Sequence, residues 1–434
     1  MNKTYNFVTV NAEMVELSKL VATVSDKDSS VVITFGAGKA ADDKLVAVVK
    51  VLSGTSTLMF RIHTTVPDSY EGEKVQIAAK ASAFNGILDA VLPYKADVTT
   101  TVEDGKLYIG VAGKARFECP ILAEIPTEVT PSNPIIQFSL DDASQKRLIK
   151  SGLSCSSAAA DETGCQNACL RINSETAEII GFSTDGYLSE VTSVKGKLPN
   201  VGDDEKRKAM KEKMDESLKE YCKKTGQDAN KLVINIPHDE VTKLKALTSG
   251  AAQIGYVIDA NHVSVMVNNA VAYTFTQGAK SPMDVELVAK KLESFEGQSL
   301  QLDNEALSRA VDVHNKVVGV VGTPGKDPIL FSVEGDNLVI KSGSDGVNAT
   351  NVDIAKKSGD CDGALNGAIL TKALSLADRG NLVVKVVPSM VILYAGTLDN
   401  IDTSSMIFVM QVNVAAKEAE KEAEEAAEDE TLQE

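Results

Sequence analysis

Apolar residues fall at helical spacing six times along this chain. After each such stretch they alternate with polar ones in short runs that read as strands. In the first unit Met14, Leu17, Val21 and Val24 share one face of a helix predicted from Asn11, which can cap it, to Val24. Strands follow at 30–35, 44–52 and 57–65. The second helix spans 80–92, with Phe84, Ile87, Leu88 and Val91 inward, and Pro93 cannot continue it. It leads to strands at 98–102 and 107–111 around Asp104-Gly105, a hairpin signal. The third helix, 141–151, is closed by Gly152 and precedes strands at 168–173, 177–183 and 188–194. The fourth, 239–248, is closed by Gly250 and precedes 253–258, 262–268 and 270–277. The fifth, 304–315, precedes 329–333 and 338–342 around a turn at 335–337. The sixth, 367–378, is closed by Gly380 and precedes 382–387, 390–395 and 405–412.

The helices start near Asn11, Lys80, Leu140, Pro237, Asp303 and Asn366, in steps of about 69, 60, 97, 63 and 63 residues. Removing a charged stretch of about 35 residues, 199–232, reduces the long step to about 62 and restores the repeat. Polar or turn-rich stretches at 131–134 and 290–297 suggest boundaries. The expected architecture is α+β, with three domains of two helix-plus-β-meander units each. They span 1–133, 134–290 with the insertion, and 291–414, followed by a tail at 415–434. The insertion reads as a helix over 203–224 with Met210, Met214, Leu218 and Tyr221 on a narrow stripe. A solvated helix leaning on the surface is one reading and a partner-docking arm the other. The tail of Ala, Glu and Lys reads as a frayed helix or disorder.

Composition narrows the function. The 434 residues carry a net charge of -17, so the chain as a whole repels polyanions and any nucleic-acid contact needs a local basic surface. With 43% hydrophobic residues but no Trp and 5% aromatics, the cores are aliphatic. The absence of a signal-like start, of an 18-residue apolar run and of patterned cysteines points to a cytoplasmic protein without a membrane span.

No catalytic or metal-binding constellation emerges, and no cofactor is expected. His63, His238, His262 and His314 lie in four different units. Cys155, Cys165 and Cys169 lack a second pair at zinc spacing and read as buried thiols. Gly36-Ala37-Gly38 and 319–325 do not match a phosphate loop. The basic residues say more: each helix stretch holds at least one. They are Lys19; Lys80; Lys146, Arg147 and Lys150; Lys243 and Lys245; Arg309 and Lys316; Lys372 and Arg379. The acids cluster near helix N-termini, where the dipole favours them, although Glu13 and Glu16 outweigh Lys19 on the first helix. Amphipathic helices carry Lys on a wet face in any case. If all six face one way, they form a mildly basic surface on an acidic body.

One segment resembles a known family. It runs from Cys169 through Leu170, Arg171, Ile172, Asn173 and Ser174 to Glu175, then from Ile179 to Thr184-Asp185-Gly186-Tyr187. It is similar to the Thr-Asp-Gly-His-Arg element of bacterial and phage DNA polymerase sliding clamps, the DNA polymerase III beta subunit family. Tyr187 and Leu188 stand where that family has His-Arg. Lys146-Arg147-Leu148-Ile149 resembles the helix opening the family's second domain, and Asn167 an Asn of the next strand. Ser404 to Met410 is similar to its last strand, with Gln411 in place of Pro. Unit order and lengths agree over about residues 1–414.

The resemblance implies a head-to-tail homodimer ring of two three-domain chains, helices inside and sheets outside. It implies a processivity factor that encircles double-stranded DNA and is not an enzyme. The helix cations Lys19, Lys80, Lys146, Arg147, Lys150, Lys243, Lys245, Arg309, Lys316 and Lys372 would face DNA. A pocket between the second and third domains would take linear peptides of polymerase and clamp loader. By position it involves Gln166, Thr184, Gly186, Tyr187, Leu188, Pro282, Ser389, Val409, Met410 and Val412. The competing readings are a repeat-built β-rich structural protein without a DNA role and, more weakly, a hydrolase using scattered carboxylates.

Overall fold

The computed structural model describes residues 4–39, 44–65, 67, 70–156, 164–200, 202, 204–281, 291, 294–321, 328–342 and 348–412. The repeat is present, but its unit begins one element earlier than the hydrophobic pattern suggests. Each helix is preceded, with almost no connection, by a strand. The unit is therefore strand, helix, then three strands.

Unit one is β1 (Thr4–Thr9), α1 (Asn11–Val24), β2 (Ser30–Lys39), β3 (Leu45–Leu52) and β4 (Ser56–Thr64). Unit two is β5 (Val75–Lys80), α2 (Ala81–Val91), β6 (Val98–Glu103), β7 (Lys106–Val111) and β8 (Ala115–Cys119). Unit three is β9 (Ile136–Asp141), α3 (Asp142–Leu148), β10 (Asn167–Ile172), β11 (Glu178–Thr184) and β12 (Leu188–Lys195). The inserted helix α4 (Glu205–Thr225) follows. Unit four is β13 (Leu232–Pro237), α5 (His238–Leu247), β14 (Gln253–Ile258), β15 (His262–Val267) and β16 (Val271–Thr276). Unit five is β17 (Gln298–Asp303), α6 (Asn304–Val321), β18 (Ile329–Glu334), β19 (Asn337–Ser342) and β20 (Asn348–Asp353). After the short β21 (Lys356–Lys357), unit six is β22 (Asp362–Leu365), α7 (Gly367–Leu376), β23 (Asn381–Val387), β24 (Met390–Thr397) and β25 (Asn400–Met410).

The leading strands are exchanged within pairs of units. β1 pairs antiparallel with β6 of unit two, and β5 with β2 of unit one. β9 and β13 trade places in the same way with β14 and β10, and β17 and β22 with β23 and β18. Six four-stranded sheets result, two per pair of units. The last strands then join neighbouring pairs: β4 runs beside β16, and β12 beside β25.

A second contact closes every unit. The chain leaving its last strand donates a backbone hydrogen bond to its own leading strand. The six bonds are Thr65 N to Val8 O (2.9 Å), Leu122 to Ala78 (2.8 Å), Lys197 to Ser139 (2.8 Å), Gly278 to Asn235 (3.0 Å), Ser358 to Ser299 (2.9 Å) and Val412 to Ala364 (2.9 Å). Among the described residues, the sheet-end strands β5, β9, β13 and β22 each keep one such return bond on their outer side, whereas β8 and β20 have none.

Several local expectations change. Asn11 does not cap α1; Val10 holds that position, and the Asn11 amide reaches Ala96 O at 3.3 Å instead. Gly152 does not close the third helix. The helix continues as a π turn, Ile149–Leu153, in which Gly152 is buried. A Cβ there would lie 2.8 Å from Thr192 Cγ2, and one on Gly181 would lie 2.6 Å from Leu148 Cδ1. Two glycines thus let this turn rest directly on β11 and β12. Lys80 ends β5 and does not belong to a helix, so α2 itself carries no cation. The tail and Pro282 lie outside the described residues.

The first four units share one aliphatic core, and the last two form another. Within the first, Phe7 of β1 is fully buried and stacks on Phe35 of β2, centroids 3.8 Å apart. A residue of the exchanged strand thereby clasps the opposite sheet of its pair. Truncating it leaves a cavity between the two sheets. Phe7→Ala should cost about 3–5 kcal/mol in urea denaturation. A loss below about 1 kcal/mol, the range of ordinary surface changes, would show that the clasp contributes little.

Candidate nucleic-acid and partner interfaces

The six repeat helices form one unbroken layer. α2 packs on α1, α1 on α5, α5 on the π turn that ends α3, and α6 on α7. The remaining junction is polar: Lys150 Nζ donates to Ala377 O at 2.9 Å and Ser151 Oγ to Leu376 O at 3.4 Å, joining the π turn to the end of α7. The inward stripes of these helices pack on the sheets, which leaves their other faces to solvent.

The ten expected contact cations divide into two groups. Lys19, Lys80, Lys245, Arg309 and Lys316 are exposed, and among the described residues their side chains have no hydrogen bond or ion pair. The other five are engaged. Lys146 pairs with Asp142 at 2.5 Å and Lys243 with Glu240 at 3.0 Å, both within one helix. Arg147 reaches Asp402 and Ser404 of β25, each at 2.6 Å. Lys150 lies 3.5 Å from Asp378, and Lys372 lies 3.1 Å from Asp185. These last three pairs cross from the second pair of units to the third. Sequence reading did not assign them this role, because their partners lie more than 180 residues away. Arg379 is exposed beyond the end of α7.

Charge over the layer is nearly balanced. Its helices hold nine cations (Lys19, Lys146, Arg147, Lys150, Lys243, Lys245, Arg309, Lys316, Lys372). Against them stand eight anions (Glu13, Glu16, Asp89, Asp142, Asp239, Glu240, Glu305, Asp312). In a chain of net charge -17, the excess of acid therefore lies elsewhere. Several of these acids sit in first helical turns, and Asp141, just before α3, caps it by accepting from Ser144 N at 2.8 Å.

The resemblance segment forms the β11–β12 turn. Asp185 Oδ1 accepts from Tyr187 N (3.0 Å) and Leu188 N (2.8 Å), while Gly186 takes a φ of 94° that a side chain would resist. Thr184 is buried, and its hydroxyl donates to Leu188 O at 3.1 Å. Leu188 stands opposite Val409, both fully buried, so these two set the seam and present no surface. Tyr187 (66% exposed) and Met410 (44%) are neighbours on the outside, joined by Met410 N to Tyr187 O at 2.9 Å. Ser389 is next to them, accepting from Gln411 N at 3.0 Å. Gln166 sits just before β10 and accepts from His238 N at 2.9 Å. Val412 lines a separate cavity of about 750 Å³ in the third pair, with Phe331, Val386 and Val387.

Behind this seam lies Glu190 of β12, wholly buried. Its Oε1 accepts from Ser154 N, from Cys155 N at 2.9 Å and from Ser183 Oγ at 2.8 Å, and its Oε2 has no partner among the described residues. Burial pushes this carboxyl up to about 7, against the pull of those donors. His314 is buried between Ser342 and Thr350 hydroxyls, and desolvation lowers its pKa. All six cysteines are free thiols, and burial raises Cys119 to about 11 and Cys169 to about 12. Among the described residues no cluster of His, Cys, Asp and Glu could hold a metal, and no helix is long and apolar enough to cross a membrane.

No protein-family model matches the chain, and no curated protein sequence does. Solved structures match its fold. The beta sliding clamp of C. crescentus superposes with a TM-score of 0.71 at 14% identity, over 95% of this chain and 100% of that one. The DNA polymerase III beta subunit of Thermotoga maritima gives 0.71 at 10% identity, again over 95% and 100%. A DNA polymerase III subunit beta sliding clamp of Pseudomonas aeruginosa, bound to griselimycin, gives 0.70 at 15% identity over the same shares. The chain has the sliding-clamp fold, with its three-domain arrangement.

Glu190 generates a pH dependence. Its carboxyl starts from an ordinary value of 4.5 and titrates near 7 when folded, so the folded state holds the proton more tightly. The contribution of Glu190 to stability is then greatest below pH 4.5 and declines as pH rises to about 7, by on the order of 3 kcal/mol. Glu190→Gln keeps an acceptor for the three donors and should flatten this decline in urea titrations at pH 5 and pH 8. An unchanged decline would place its origin elsewhere.

Proposed function

We propose that this chain is a sliding clamp, a non-catalytic processivity factor that encircles duplex DNA as a ring of two head-to-tail copies. The unbroken layer of six helices carries this reading. Its near-neutral face, with free Lys19, Lys80, Lys245, Arg309 and Lys316, suits transient, sequence-independent phosphate contacts. Tight binding would stop sliding. The acidic remainder of the surface discourages DNA elsewhere. Domain limits are placed at 1–133, 134–290 and 291–414.

The two open edges supply a ring closure. β8 lies at the end of the first domain's sheets and β20 at the end of the third's. Pairing β8 of one copy with β20 of the next would be heterologous, and two such joints close a ring that covers both of these edges. Polymerase and clamp loader would dock by a linear peptide at the outer seam, against Tyr187 and Met410, the apolar side chains exposed there.

Light scattering should give twice the 46.0-kDa chain mass. The assembled protein should stay on a nicked circular plasmid and be lost when the plasmid is linearised. A stable monomer, or equal retention on both DNAs, refutes the ring. Phe117→Asp on the β8 edge should yield monomers with unchanged far-UV circular dichroism, because Phe117 is 42% exposed in the single chain.

A further inference from the structure

The inserted helix α4 does not lie flat on the second domain. Its C-terminal half is anchored: Leu218, Tyr221 and Cys222 pack on the core, and Gln227 ties the Tyr221 hydroxyl (3.3 Å) to Val233 N (2.9 Å). Residues 204–213 are all exposed, and Met210 is 63% exposed. Between this raised half and the start of β9 lies a cleft of about 1070 Å³. Its apolar lining is Ile135, Ile136, Leu198, Met210, Met214 and Leu218. A solvated surface helix has no need of such a cleft.

The rim decides what the cleft accepts. Arg207, Lys211 and Lys219 border it, against Glu175 and Asp215. The helix as a whole has eight Lys and Arg against five Asp and Glu, whereas the chain carries -17. A local basic excess thus borders an apolar cleft on an otherwise acidic chain. Methionine floors adapt to varied side chains, and a cleft this wide takes one face of a helix.

We propose that the cleft under α4 is a docking site for an acidic amphipathic helix of a partner protein. Leucine- and phenylalanine-type side chains enter between Met210, Met214 and Leu198, and carboxylates meet Arg207, Lys211 and Lys219. This site stands apart from the seam at Tyr187 and Met410 and does not depend on the clamp reading. The chain's own segment 413–434 is acidic too, but Leu432 is its one large apolar residue beyond Val414, too few for the floor.

The test is fluorescence anisotropy on the full-length protein. One labelled 16-residue peptide carries Leu and Phe at helical spacing and Glu elsewhere; a second has Lys in place of Glu. The acidic peptide should bind and the basic one should not. Arg207→Glu with Lys211→Glu should weaken binding at least about tenfold, as should Met214→Asp. Arg207 and Lys211 are largely exposed, so that pair remains informative if Met214→Asp unfolds α4. Failure of the acidic peptide to bind, equal binding of both peptides, or variants that bind as before would overturn the proposal. So would competition by an unlabelled 413–434 peptide at lower concentration than the acidic peptide itself, which would make the tail the occupant. Retention on circular DNA is read separately, so failure here leaves the ring test intact.

Discussion

One constraint organises the molecule: the first strand of each unit must lie in the sheet of its neighbour and still meet the end of its own unit. The exchange, as in β1 with β6 and β5 with β2, means that no single unit has a complete sheet. The return bond, as from Thr65 to Val8, holds the two sheets of a pair together at their margins. Units therefore come in twos, and three twos make the chain. Because each helix begins where its leading strand ends, fixing the strand also fixes the helix. That is how six helices, all but α6 14 residues or shorter and so marginal alone, come to share one layer.

The layer's cations fall into two groups that the sequence pattern does not separate: those paired across to a neighbouring element and those left exposed. A cation at a helix end can face a polyanion or hold a neighbouring element. Arg147, Lys150 and Lys372 do the second, bracing the joint between domains two and three from the helical side while β12 and β25 join it as strands. Such half-exposed pairs add little stability each. They tie the two domains at three points: Arg147 to β25, Lys150 to the end of α7, and Lys372 to the β11–β12 turn. The charge left for a duplex is small. In the clamp reading, retention comes from encirclement, so weak contact is compatible with function.

The helices were legible because their burial has a period the eye can test: Met14, Leu17, Val21 and Val24 are all buried. So was the third helix start, since Asp141 has the capping chemistry. The leading strands were not. They are four to six residues long, and Val75–Lys80 or Asp362–Leu365 alone carries too few alternations to register. β8 escaped for another reason: Arg116, Phe117 and Glu118 are all exposed in the single chain, so its middle shows no alternation. At the site, the sequence located the β11–β12 turn by resemblance but could not separate Tyr187, which faces out, from Leu188, which is buried. One residue along a strand reverses the face.

The same closure rule explains where the chain tolerates additions. Segments outside the repeat follow directly on a return bond: the link at 122–134 after Leu122, and α4 after Lys197. At those points every strand of the unit is already paired, so an added segment breaks no sheet. It also starts beside a leading strand, at the margin between two sheets, where their cores come nearest to the surface. An amphipathic helix launched there can rest one end on apolar residues of that margin, as α4 does with Leu218, Tyr221 and Cys222. Its other end has no sheet to follow. The cleft under α4 lies where this unanchored, highly charged half stands off the start of β9, and its Met-lined opening gives the insertion a surface that the repeat alone does not provide.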